Sequence, residues 1–259
     1  MNPDFEVKVL LKASAVLGSD NKPNDAVASA FSLSGGAKKM NVQFFDTNCQ
    51  EIYKSGWSLR IRKSEGENEF EVNYKKRYPL DEGFSTTDAD AVSAGVKAAE
   101  SDGFASSLGY EAQVEVGYQK KTLSISHTAT HPDSGFSGTT LPAEDKSREF
   151  LNTYAPEKFR TWASSNWGSE KLEESRIYGP VLAKRFKGKW NGLRVSIEVW
   201  PIRSSKLNAE LENIVEVSFK ADILTTALEQ RGKLVAFVES QGWLVPKDSL
   251  KTALIMERY

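Results

Sequence analysis

The chain of 259 residues has one cysteine and two histidines. A lone cysteine, Cys49, excludes an intramolecular disulfide and a cysteine-based zinc site. His127 and His131 lie four apart, a spacing that would share a metal on a helix. They stand in a Ser- and Thr-rich stretch followed by Pro132 and Gly135, which reads as loop. No apolar run reaches the roughly 18 residues that a membrane-spanning helix needs. Met1 to Leu17 lacks a basic start followed by an apolar core, so no signal peptide is expected and the expected location is cytoplasmic. Neither sign of charge is in excess: 34 basic residues face 35 acidic ones, a formal net charge of -1. That balance gives no reason to expect nucleic acid or an anionic membrane as a partner.

What the chain does contain is 39% hydrophobic residues, with 13 Phe, 8 Tyr and 6 Trp, enough for a sizeable core. Its charges are segregated locally. From Asp4 to Leu11, Phe5, Val7 and Val9 alternate with Asp4, Glu6 and Lys8. A period of two gives a strand with one apolar face and one face of acid, acid and base. The same device recurs. Trp57, Leu59 and Ile61 back Ser58, Arg60 and Arg62, and Phe70, Val72 and Tyr74 back Glu69, Glu71, Asn73 and Lys75. Ala112, Val114 and Val116 back Glu111, Gln113 and Glu115. Later, Leu193, Val195, Ile197 and Val199 back Arg194, Ser196 and Glu198, and Val215, Val217 and Phe219 back Glu216, Ser218 and Lys220. Asn191-Gly192 is a two-residue hairpin turn between strands over Val181–Trp190 and Leu193–Trp200.

Helices are expected from Asn24 to the Gly35-Gly36 stop, over Asp88–Ser107, over Asp222–Gln241 and over Lys247–Glu257. A further strand is expected over Val42–Thr47, and Tyr110–Ser126 reads as one long strand or a strand with a break. Residues 127–176 are the least regular. They read as an insertion that packs outside through Phe159, Trp162 and Trp167, with a helical segment from Glu149 to Trp167.

These elements give an α+β fold in one domain over residues 1–259: an eight-stranded antiparallel barrel with helices packed on the outside. Closure would turn the charged faces inward. The basic set is then Lys8, Arg60, Arg62, Lys75, Lys121, Arg185 and Lys187, and the acidic set is Asp4, Glu6, Glu115, Glu198 and Glu216. Arg and Lys match a phosphate chain. Carboxylates beside them suggest Mg²⁺ or Mn²⁺, which favour oxygen ligands. Lys75 and Lys76 compete for the inward position; parity favours Lys75, and a bulge would exchange them. The bland alternative is an open sheet whose charges are surface salt bridges.

The motifs also resemble the triphosphate tunnel metalloenzymes, or CYTH superfamily. Asp4-x-Glu6-x-Lys8 is similar to the hallmark Glu-x-Glu-x-Lys, with Asp in the first place. Phe44-Phe45-Asp46-Thr47, Arg60-x-Arg62 and the Lys75-Lys76 strand end follow in the family's order. Glu198 resembles its later acidic residue, and Glu216-x-Ser218 its last Glu-x-Glu with the second Glu lost. The resemblance implies a tunnel that hydrolyses a triphosphate-containing small molecule (inorganic, nucleoside or thiamine triphosphate) with Mg²⁺ or Mn²⁺. It implies Lys8 and Glu6 in the catalytic role, and Lys8, Arg60, Arg62, Lys75 and Arg185 on phosphates. Lys121 and Lys187 join the phosphate set through the basic faces. Asp4, Glu6, Glu198 and Glu216 would hold metal. The alternative function is a non-catalytic module binding polyphosphate, nucleotide or another anion in the same tunnel. Either would act as a monomer or homodimer.

Overall fold

Nine strands close into one barrel in the computed structural model, which describes residues 1–80, 88–248 and 250–259. β1 (Asp4–Leu11) leads into two short helices, α1 (Ala13–Val16) and α2 (Asp25–Ala30). Asn24 caps α2 by accepting the Val27 N–H at 3.1 Å. β2 (Ser34–Asp46), α3 (Glu51–Lys54), β3 (Trp57–Ser64) and β4 (Glu69–Pro79) follow, then α4 (Asp88–Ser101), β5 (Glu111–Val116) and β6 (Lys121–Pro132). The region expected to be an insertion holds the end of β6 and three helices: α5 (Glu144–Tyr154), α6 (Glu157–Arg160) and α7 (Trp167–Glu173). β7 (Arg176–Trp190), β8 (Leu193–Arg203), β9 (Leu211–Ala221), α8 (Leu224–Ser240) and α9 (Lys251–Arg258) complete the chain.

Around the barrel the order is β1-β5-β6-β4-β3-β2-β7-β8-β9, and an antiparallel β1–β9 ladder closes it. Two expectations are corrected here. The barrel has nine strands rather than eight, because Tyr110–Ser126 breaks at Gly117–Lys120 into β5 and β6. It is mixed rather than antiparallel, because β5 runs parallel to β1. The second follows from the first: directions cannot alternate all the way round an odd ring, so one neighbouring pair must run the same way.

Two strands also start or end beyond their expected limits. Gly35-Gly36 does not stop a helix but lies in β2, which begins at Ser34, and α2 ends five residues earlier at Ala30. His127 and His131 lie on β6 and not in a loop. The helical segment expected over Glu149–Trp167 is split. Pro156, with no N–H to give, ends α5's run and sits at the start of α6.

The period-two pattern makes two cores. The outward apolar faces of the strands pack beneath the helices. Trp57 of β3 is the hub there, with ring centroids 5.4 Å from Phe159, 5.7 Å from Trp162 and 5.8 Å from Phe104. Phe159 in turn lies 5.6 Å from Trp167, so the three aromatics expected to anchor the 127–176 region do pack against the barrel. The second core is on the inner side. Met40, Val42 and Phe44 of β2, Val181 and Ala183 of β7, and Trp200 and Ile202 of β8 pack on Ile255 and Met256 of α9. The last helix therefore occupies part of the barrel interior and does not lie on its outside.

Candidate functional site

The rest of the interior is polar. A cavity of about 330 Å³ is lined by Glu6 and Lys8 of β1, Arg60 and Arg62 of β3, and Lys75 and Arg77 of β4. Glu115 of β5, Arg185 of β7, Glu198 of β8, Glu216 and Lys220 of β9, and Lys251 of α9 complete its charged lining. Eight bases thus face four carboxylates, an excess of four positive charges in a chain whose total is -1. A second cavity of about 400 Å³ adjoins it and shares Arg60, Arg62, Lys75 and Lys220.

Strand register assembles this set. Glu6 stands beside Glu115 across the parallel β1–β5 pair, and Lys8 stands beside Ser218 across β1–β9. Glu198 is directly opposite Glu216 across β8–β9, and Arg185 is opposite Glu198 across β7–β8. Like charges placed directly opposite repel, so each acidic pair needs a cation. Lys8 Nζ lies 3.1 Å from Glu6 and 3.4 Å from Glu115. Lys75 Nζ donates to Glu115 at 3.0 Å. On β3, both Arg60 and Arg62 pair with Glu71.

Burial sets the protonation of these groups, and their neighbours correct it. Burial alone would depress the Lys8 ammonium, but Glu115, Glu6 and Glu216 outweigh it and hold the pKa well above the ordinary lysine range. Lys75 has less help. Burial pushes it down to about 8, with Glu115 opposing and the neighbouring Lys8, Arg77 and Arg60 adding to the fall. Burial would raise Glu115, yet Lys75, Lys8 and Arg77 keep it well below the usual carboxylate range. Glu198 is likewise held ionised against its burial by Lys251 and Arg185.

Several residues of this site carry a clear signal in the sequence. Parity puts Lys75 inward, and Lys76 points the other way: its Nζ donates to the Ser55 carbonyl at 2.6 Å and lies 4.2 Å from the Trp162 ring centre. Parity would also have found Arg77 and Lys220, which follow Lys75 and Glu216 on the same faces. Lys251 has no such signal, since it comes from a helix. Three expected residues fall outside this cavity. Lys121 is not in the lumen, because β6 turns its Ser and Thr side chains inward, and the buried Lys121 ammonium pairs with Asp88 of α4 at 2.7 Å. Lys187 lies in a neighbouring cavity with Lys38, Arg62 and Arg185. Asp4 is exposed and lines the adjoining cavity rather than the one that holds Glu6. Asp46 of the Phe-Phe-Asp-Thr segment is structural. Its carboxylate accepts the backbone N–H groups of Thr47, Ile52 and Tyr53 at 2.7, 2.9 and 2.8 Å, fixing the turn into α3.

The carboxylates expected to hold a divalent cation do not form a cage. Glu6 is paired with Lys8, and Asp4 stands apart. Only Glu198 and Glu216 meet, and the Lys251 ammonium is bonded to both, at 2.7 and 2.8 Å. Among the described residues no three His, Cys, Asp or Glu side chains are grouped to ligate a metal. Arranged in this way, with Lys251 between them, the residues do not fit a divalent cation.

His127 and His131 share nothing. His131 Nδ1 meets the Tyr154 hydroxyl at 3.0 Å, while the His127 ring packs edge-on against Tyr110 with centroids 5.6 Å apart. No helix among the described residues is long and apolar enough to cross a membrane.

A closed β-tunnel, helices around it and a lumen lined by cations from opposite walls define the class of fold: a mixed nine-stranded tunnel barrel with a cationic interior. A solved structure carries a similar fold. A Hippeastrum protein, described as a candidate adenylyl cyclase with a dominant triphosphatase activity, superposes with a TM-score of 0.52 at 14% identity, over 96% of this chain and 93% of its own. A candidate adenylate cyclase of Bacillus halodurans gives 0.49 at 11% identity, over 98% of each chain. At such identities the likeness is one of fold. No family profile matches the sequence, and no curated protein matches it.

Proposed function

We propose that this protein holds the triphosphate of a small molecule in the lumen of its barrel. One observation carries the reading. Arg60, Arg62 and Arg77 line the cavity, and the Nε–H of each is buried with no hydrogen-bond partner among the described residues. A buried charged donor without an acceptor is costly, and a chain of phosphates supplies several acceptors at once. The excess of bases over carboxylates supports the same ligand class. Inorganic, nucleoside and thiamine triphosphate all present that group.

Calorimetric titration with tripolyphosphate tests it. Arg60→Ala and Arg62→Ala should each weaken binding by about 1.5–3 kcal/mol, or roughly 10- to 150-fold. Unchanged affinity in both variants, with the fold intact by circular dichroism, would sink the reading.

A second reading is hydrolysis of the phosphoanhydride with Mg²⁺ or Mn²⁺. The triphosphatase activity attributed to the Hippeastrum protein favours it. So does Lys8, an ammonium held between Glu6 and Glu115, where it could orient a water. The ion would need a site that the carboxylates do not offer as arranged: Lys251 holds Glu198 and Glu216, Lys8 holds Glu6, and Asp4 stands apart. Phosphate release from tripolyphosphate, ATP or thiamine triphosphate in Mg²⁺ supports this reading. Tight binding without release leaves the non-catalytic module.

A further inference from the structure

Glu198 and Glu216 face each other across β8–β9 with a cation shared between them, as Glu6 and Glu115 share Lys8 across β1–β5, but here the cation comes from a helix. Lys251 stands at the first turn of α9 and donates to Glu198 Oε2 at 2.7 Å and to Glu216 Oε1 at 2.8 Å. The other positions on Glu198 are also taken. Arg185 reaches its Oε1 through both Nε and Nη2 at 2.7 Å, and Trp200 Nε1 donates to its Oε2 at 2.8 Å. Lys251 is not a loose surface lysine. Its side chain is 17% exposed and its ammonium lies 4.9 Å from the Trp200 ring centre. The helix behind it is fixed at several points. Ile255 and Met256 are buried in the inner core, Gln50 Nε2 donates to the Met256 carbonyl at 2.6 Å, and Arg258 pairs with Glu212 at 3.0 Å.

We propose that Lys251 takes the place of a divalent cation at the Glu198–Glu216 pair, so that the lumen takes up a linear triphosphate without metal. The second half rests on the triphosphate-binding reading; the first half does not. A divalent ion bound between these carboxylates would sit within a few ångströms of the ammonium, and like charges at that distance repel strongly in a poorly solvated interior. Neutralising Glu198 and Glu216 from within also removes the repulsion they would exert on a phosphate chain. The lumen bases other than Lys251 and Arg185 then set its affinity. The two positions where the first and last strands depart from the Glu-x-Glu pattern, Asp4 and Ser218, fit this arrangement. Asp4 stands apart from the pair, and Ser218 brings no third carboxylate to it.

Two readouts on the full chain test the proposal. The first needs no phosphate: uptake of Mn²⁺, followed by the loss of the free-ion signal in electron paramagnetic resonance. Wild type and Lys251→Arg should take up none in the lumen. Lys251→Met keeps most of the stem's packing but not the charge, and should bind one ion. Mn²⁺ uptake by wild type that Lys251→Met does not strengthen would overturn the proposal. The second readout is calorimetry with tripolyphosphate in excess EDTA and in excess Mg²⁺. Wild type should bind in EDTA at least as tightly as in Mg²⁺, whereas Lys251→Met should bind more tightly with Mg²⁺. Wild-type binding that appears only with Mg²⁺ overturns the proposal, and this arm decides even if Lys251→Met fails to fold. Absence of binding in both buffers overturns the triphosphate-binding reading, and the manganese arm still judges Lys251.

Discussion

Lys75 has one carboxylate beside it, Glu115, and three cations that press its proton off. With a pKa near 8 it carries its charge below that pH and loses it above. A phosphate arriving next to it adds negative charge and draws the proton back. Tripolyphosphate binding at pH 8 should therefore take up about half a proton at this residue. Calorimetry in two buffers of different ionisation enthalpy measures the uptake. The same titration with Lys75→Arg subtracts the ligand's own protonation, and equal uptake by both proteins would refute a phosphate contact at Lys75. Affinity should also fall as the pH rises above 8, and less steeply in the arginine variant. Asp46 calls for the opposite outcome. Asp46→Ala leaves the Ile52 and Tyr53 N–H groups without their acceptor and should cost about 1–3 kcal/mol in denaturant unfolding. It should leave tripolyphosphate affinity unchanged. Site residues on strands were legible in the sequence wherever parity alone decides, as for Lys75 over Lys76. Lys121 was misplaced because β5 and β6 were read as one run, which hid the break that resets the faces. Lys251 was not legible, because nothing in a short terminal helix says which distant carboxylates it will meet.

Among the elements, α9 shows how context overrides a local pattern. Its eight residues read as one more amphipathic helix, yet its apolar side packs against the inner faces of β2, β7 and β8. Ile255→Ala should cost about 2–5 kcal/mol, the usual range for emptying a filled core site. Denaturant unfolding checks this, and a cost under about 1 kcal/mol, as for a surface site, would contradict the inner packing. β6 shows the reverse problem. Inward it presents Ser124, Ser126, Thr128 and Thr130; outward it presents Ile125, His127, Ala129 and His131. Past Ser126 it has no apolar alternation and resembles a loop. It is a strand because His131 stacks 3.9 Å from Phe150, and its backbone pairs with β4 over eleven residues, Glu69–Pro79. The Asn191-Gly192 turn was plain from sequence, and both residues take the positive φ that such a hairpin needs, 47° and 78°.

For the molecule as a whole, the total charge is -1 while the lumen lining is net positive, so the rest of the chain is net negative and a polyanion is drawn to the interior and not to the exterior. Raising ionic strength shortens the screening length from about 10 Å at 0.1 M to about 3 Å at 1 M. Tripolyphosphate affinity should fall across that range, and a flat salt dependence would contradict a lumen site built on net charge. The seam of the barrel has a consequence in time. β1 has no neighbour close in sequence: Phe5 pairs with Val114 on one side and with Ala221 on the other. Both ladders close very long loops, and such contacts form late because their entropy must be lost first. The barrel strand that comes first in the sequence is thus among the last to be placed, and Glu6 and Lys8 with it. During refolding, fluorescence from the Trp57–Trp162 cluster should recover before the chain can bind tripolyphosphate. A ribosome-bound chain that stops short of β9 should carry most of its aromatic core and no working lumen.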